Sequence, residues 1–246
     1  MPKNFLEYLS ESKEIIGSPA EAIRSFKPKD SLNSKLWNNE TLRKNIKDDL
    51  IEIAKDFYDS LEVNAPLLDI QLLGSSANYN WSKFSDIDLH IVIDFSKVDE
   101  NEKLLRNYFD AAKRVWNSQH DIKIAGYPVE VYIQDINDKP ESSGTYSMMQ
   151  NEWINKPKPG EFKLNSHEVK KKSADLISEI NGVLKSKDAS QLSDLKKKIK
   201  QLRNAGLSSG GEYSVENLVF KTLRRSGYLD KISMEQTSLY DKSKSI

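Results

Sequence analysis

The stretch LLGSSANYNWSKFSDIDLHIVI, Leu72 to Ile93, constrains the fold more than any other part of the chain. It sets two aspartates one residue apart at the start of a run of alternating large aliphatics. Successive side chains of a strand point to opposite faces. Ile87, Leu89, Ile91 and Ile93 therefore share one face, and Asp86, Asp88, His90, Val92 and Asp94 the other. On that face Asp86 and Asp88 stand about 6.7 Å apart along the backbone. Carboxylates so close repel and raise each other's pKa unless a cation lies between them. The pattern calls either for such a cation or for a solvated sheet edge charged against aggregation.

Twelve residues before Asp86, Gly74-Ser75-Ser76 reads as a turn after a strand, LDIQLL, over 68–73. Gly74 permits unusual torsions and close backbone approach. A helix opening at Ser75 would point unpaired amides outward, which is an anion site. Ser76 adds a neutral donor, and Lys83 could reach a phosphate. Further on, DIKIAGYPVEVYIQD reads as a hairpin turning at 125–128. In its second arm Val129, Val131 and Ile133 share one face, Glu130 and Tyr132 the other. If that arm neighbours the Asp86 strand, Asp86, Asp88 and Glu130 converge. Three carboxylates of that kind suit a hard divalent ion such as Mg²⁺, and could hold two ions about 3.5–4 Å apart.

The other elements follow from periodicity. Helices are expected over 4–13, over 40–61 and over 99–118, the last burying Leu104, Leu105, Tyr108, Ala111, Ala112 and Val115. Past Asp135 the strand signal stops. NKPKPGEFKL reads as a linker, followed by helices over 166–186, 189–204 and 214–227 and a loosely packed tail, SLYDKSKSI. The expected organisation is an N-terminal extension (1–39), a core (40–155) and a C-terminal helical domain (156–246). The fold class is α/β (α+β): a small mixed sheet flanked by helices, with a helical domain behind it.

Gly-Ser, a spacer of about ten, Asp-x-Asp on a strand and a third acid on a later strand resemble the active-site pattern of the DNA polymerase beta type nucleotidyltransferase superfamily. The resemblance covers roughly residues 68 to 134. It implies an enzyme that uses Mg²⁺ or Mn²⁺ to move a nucleoside monophosphate from an NTP to an acceptor hydroxyl on a small molecule, an RNA end or a protein. Asp86, Asp88 and Glu130 fall on the catalytic metal ligands, and Gly74 and Ser75 on the phosphate-binding turn. The third acid is often Asp in that family, and Glu130 carries one more methylene. QLRNAGLSSGGEYSVENLVFKTLRRSGYLDKI resembles the end of nucleotidyltransferase-like proteins of large tailed bacteriophages. The competing reading is an inactive transferase fold serving as a binding or virion-associated module.

Composition limits the alternatives. There are no cysteines, so disulfides and thiolate chemistry are excluded. Lys+Arg and Asp+Glu balance at 37 each, so net charge does not argue for nucleic acid. The basic runs EVKKKS and DLKKKIKQLR could track a nucleic-acid backbone, although the second also fits an amphipathic helix with a solvated lysine face. Arg224 or Arg225 could clamp a phosphate. His90 could assist proton transfer or sit satisfied in the sheet. Tyr127 and Tyr132 could stack a base or pack, and Trp81 could staple its loop. Asp94, about 20 Å along the strand from Asp88, reads as structural. No apolar run approaches the ~20 residues of a membrane span, and MPKNFLEYLSES does not read as a secretory signal. A cytoplasmic location is expected, the host's if the chain is phage-encoded.

Overall fold

The computed structural model describes residues 16–139, 142–159 and 164–245. The helix expected over 4–13 lies outside them. In chain order the elements are α1 (Pro19–Arg24), β1 (Trp37–Asn38), β2 (Thr41–Leu42), α2 (Lys44–Asp59), β3 (Asp69–Leu73), β4 (Ile87–Ile93), α3 (Glu102–Gln119), β5 (Lys123–Ile124), β6 (Tyr127–Asp135), β7 (Thr145–Ser147), β8 (Glu152–Asn155), α4 (Ser166–Ser186), α5 (Ala189–Gly210), α6 (Val215–Arg225) and α7 (Tyr228–Lys244). The chain is mixed α/β and sorts into two units. One runs from residue 28 to 159 and holds the sheet; the other joins 16–27 to 164–245 and is helical. Among the described residues, no helix is long and apolar enough to cross a membrane.

The described residues of the expected extension, 16–39, divide between the two units. Phe26 belongs to the helical core with Val169, Ile180, Ile199 and Phe220. Leu32, Leu36 and Trp37 belong to the core of the sheet unit. Apolar residues on both sides of Pro28 decide this division, and each joins the core that buries it.

The six-stranded sheet has the order β5-β6-β4-β3-β7-β8. β4 and β6 pair in parallel, and all other neighbours are antiparallel. A parallel pair needs a crossover, and α3 supplies it. The hairpin turn between β5 and β6 holds Ala125 at φ 54° and Gly126 at φ 90°. Two central residues with positive φ match the twist of the flanking strands. The aliphatic face of β4 is wholly buried and packs with Leu50, Ala54 and Phe57 of α2 and Leu105 and Phe109 of α3.

Three expectations need correction. α3 is rotated: it buries Leu105, Phe109 and Lys113, while Leu104, Tyr108 and Val115 are exposed. The rings decide the face. Phe109 meets Phe95 at 5.1 Å, and Trp116 meets Phe57 at 5.4 Å, both between centroids. Aromatic rings bury more area than the competing Leu104 and Val115, and one helix cannot bury both stripes. Second, strands do follow Asp135. β7 and β8 were illegible because they span three and four residues with little apolar alternation. Their stability comes from Tyr146 and Trp153 packing on Trp37 at 5.0 and 4.8 Å. Third, helix continues beyond 227: α7 buries Leu229 and Ile232, and the expected tail from Ser238 is its helical end, half-buried or exposed as a loosely packed tail would be. Gly227, at φ 72°, separates α7 from α6.

Arg106 of α3 grips Asp138, just past β6, through two hydrogen bonds of 2.9 and 2.8 Å. These bonds hold the Asp138 carboxyl below its ordinary pKa. A carboxyl titrating lower in the folded state contributes stability above its unfolded pKa of about 4, and loses it as pH falls through the folded value. Asp138→Asn should therefore cost less than about 1 kcal/mol at neutral pH, as for half-exposed pairs. Urea unfolding should show a gap between the two chains at pH 7 that closes towards pH 2.

Candidate metal and polyphosphate site

The site is set by register. Asp88, the second residue of β4, is the direct partner of Leu73 on β3 and of Glu130 on β6. Partners in a ladder project to the same face, about 5 Å apart. Asp86, two residues earlier, precedes the strand on that same face. One carboxylate oxygen from each of Asp86, Asp88 and Glu130 can be chosen so that all lie within 4.8 Å of one another. Asp86 and Asp88 are half-buried, and Glu130 is 1% exposed.

Three carboxylates at this separation repel strongly where water is scarce. Their donor set and spacing fit a hard divalent cation. Magnesium takes oxygen ligands at 2.0–2.1 Å, so ligands across one ion stand about 4 Å apart. Closing from 4.8 Å takes only small side-chain adjustments.

Gly74 ends β3 beside this cluster. Its φ is 72°, and a Cβ there would lie 1.8 Å from Asp88 Oδ2. Only glycine lets the chain turn so close to the carboxylate. The short helix that the turn leads into is a single 3₁₀ turn, Gly74–Ala77, which opens one residue before Ser75. An anion at this turn would meet backbone amides without the summed dipole of a long helix.

The serines of the turn hold it in place. Ser75 Oγ donates to Ser85 Oγ at 2.8 Å, and Ser85 Oγ accepts from the Ser82 amide at 2.9 Å. Ser76, 1% exposed, donates to the Asp86 carbonyl. Its own carbonyl accepts from Trp37 Nε1 at 2.8 Å. Ser76 thus ties the turn to the backbone of the first aspartate. Lys83 is exposed, with Nζ 5.0 Å from the Phe84 ring centroid.

A segment that sequence reasoning missed packs on the same turn. Ser142 Oγ accepts from the Gly74 amide at 3.4 Å, and Asn78 Nδ2 donates to Ser143 Oγ at 2.5 Å. A Cβ on Gly144 would lie 1.9 Å from the Ala77 carbonyl oxygen. The small residues Ser-Ser-Gly at 142–144 were the available signal.

Of the remaining candidates, His90 and Tyr132 adjoin the cluster and the others do not. His90 Nδ1 lies 2.8 Å from Gln134 Oε1 and the ring stacks on Tyr132. Asp94 caps a short turn by accepting from the Ser96 amide and hydroxyl, which lowers its pKa. Trp81 Nε1 donates to the Ser31 carbonyl at 2.9 Å, pinning its loop. In the helical unit Lys172, Lys197 and Lys198 each pair with acids, Glu168 and Glu216, Asp194, and Glu179 respectively. Part of each basic run is therefore paired locally. Arg225 is buried, donates to Ser25 Oγ at 2.7 Å and lies over Phe26, joining α1 to α6.

Two outcomes follow from crowding. Gly74→Ala should push Asp88 aside and destabilise the fold by about 1–2 kcal/mol from the backbone alone. Thermal melts and a Mn²⁺ titration of this variant should show both losses. Asp86→Asn should raise the melting temperature in chelator by roughly 2–4 °C, since relief of about 1 kcal/mol has that effect at this size. In Mg²⁺ the order of the two melts should reverse.

Comparison of the chain with protein-family models, with curated proteins and with solved structures gives no match, so the geometry of the site carries its functional reading.

Proposed function

We propose that the chain is a metal-dependent nucleotidyltransferase that moves a nucleoside monophosphate from an NTP to an acceptor hydroxyl and releases pyrophosphate. The sheet unit, on this reading, is the catalytic core. The observation that supports it best is the convergence of Asp86, Asp88 and Glu130 beside a glycine turn that only a missing side chain makes possible. Neither feature alone argues for transfer. Together they support a reading in which a cation site and a backbone-lined anion site stand within one side chain of each other.

When bound, Mg²⁺ or Mn²⁺ would supply charge neutralisation on the polyphosphate and would lower the pKa of an attacking hydroxyl. Asp86, Asp88 and Glu130 are the residues that would hold it. The Gly74 amide already donates to Ser142 Oγ, so the backbone amides that follow it in the turn would orient the polyphosphate, with Ser76 keeping the turn docked on Asp86. Glu130, the most buried of the three acids, would accept the acceptor's proton if one carboxylate is left to act as base. Lys83, exposed two residues from Ser85, would meet the outer phosphates from solvent.

The test is incubation of the chain with each labelled NTP and Mn²⁺ in a cell extract, followed by asking which species becomes labelled. Labelled acceptor and released pyrophosphate are expected, with both lost by at least about 10³-fold in the Asp86→Ala, Asp88→Ala variant, a loss of the size expected when charge stabilisation at the reacting phosphate is removed. Metal-dependent NTP binding by calorimetry without any transfer would instead make the chain a binding module. No metal-dependent NTP binding would overturn both.

A further inference from the structure

We propose that Tyr132 is a positioning residue that fixes Glu130 as a metal ligand, an inference that rests on the metal reading of the three carboxylates. Glutamate in the third position poses a physical problem. Its extra methylene adds a rotatable bond, and rotamer freedom must be lost before the carboxylate can bind in one geometry. The structure provides a device that removes this freedom in advance.

Tyr132 lies two residues after Glu130 on β6, so both side chains share the face that carries Asp88. Its hydroxyl folds back along the strand and donates to Glu130 Oε2 at 2.5 Å, where both residues are buried. Hydrogen bonds to an ionised acceptor are short and strong, and strengthen further away from water. With Oε2 held by the phenol, the carboxylate is biased to offer a cation one oxygen, Oε1.

The phenol ring has two further neighbours. His90, its register partner on β4, stacks on the ring at 4.8 Å with planes 23° apart. His90 is in turn fixed by Gln134, the next same-face residue of β6. The Lys113 ammonium, from α3, lies 4.1 Å from the Tyr132 ring centroid. Lys113 is 4% exposed, an unusual burial for lysine. Here α3 turns a lysine inward, onto the ring. A tyrosine placed only to fill space would need none of these polar neighbours, and its hydroxyl would have no reason to select the carboxylate.

The experiment is Mn²⁺ binding to the full chain, read by electron paramagnetic resonance, with folding checked by circular dichroism. Tyr132→Phe keeps the ring, the stack and the cation contact and removes only the hydroxyl. Its Mn²⁺ affinity should fall about 10–100-fold, the usual cost of removing a group that orients a metal ligand, with an unchanged melting temperature in chelator within a few degrees. Glu130→Asp, which withdraws the carboxylate from the same hydroxyl, should lose a similar factor. Combining the two should lose little more than either alone. Affinity in Tyr132→Phe within twofold of the parent, or losses that multiply in the double variant, would overturn the role of Tyr132 while leaving the metal site standing. If Tyr132→Phe does not fold, Glu130→Asp with normal Mn²⁺ affinity overturns it instead. A parent chain that binds no Mn²⁺ overturns the metal centre itself and the inference with it.

Discussion

The pairing of two parallel strands in one register is what the rest of the molecule depends on. β4 and β6 meet with Asp88 opposite Glu130, and every partner from Ile87 to Ile93 follows. A slip by one residue would turn Glu130 to the apolar face and bury a charge against α2 and α3. The aliphatic face prevents this, because Ile87, Leu89, Ile91 and Ile93 are all fully buried. Hydrophobic burial on one side of the sheet thus enforces an unfavourable crowding of charge on the other. The core supplies the free energy that holds three carboxylates where they repel.

The same logic runs through the neighbours of the cluster. The turn at Gly74 approaches Asp88 because a side chain is absent, and Gly144 approaches Ala77 for the same reason. Serines fasten these close approaches with short hydroxyl contacts that cost little volume. The arrangement resembles a small polar core laid over an apolar one, with Trp37 bridging the two through its ring and its Nε1–H. A proposed transferase needs this rigidity, since charge placed for a reacting phosphate works only if it does not relax.

Local patterns were legible in the sequence, and choices between competing patterns were not. The alternation at Asp86 to Ile93 and the hairpin at Ala125-Gly126 could be read directly, because period-two burial and positive φ leave plain residue signatures. The convergence of Asp86, Asp88 and Glu130 was an expectation conditional on strand order, which no local signal encodes. The face of α3 was misread because two apolar stripes compete on it, and ring packing from Phe57 and Phe95 decides between them. β7 and β8 depend on a cluster formed with Trp37, more than a hundred residues earlier. Ser142 to Gly144 gain meaning only through contact with a turn some seventy residues away. The role of Tyr132 was likewise hidden, since a tyrosine next to an acid on a strand is common and only the hydroxyl's direction distinguishes it.

The helical unit is assembled from both ends of the described chain, with α1 docked on α4 and α6 and the Gly17 amide bonded to the Arg225 carbonyl at 2.9 Å. The sheet unit lies wholly between those two pieces in the chain. At ribosomal rates of about 5–20 residues per second, α1 emerges some 10–40 s before the strand of helices it needs has been made. During that interval the sheet unit has everything required for its own core, and α1, six residues long, is too short to persist unaided. Synthesis therefore orders the folding: the strands condense first, and the helices close around a segment that has waited for them.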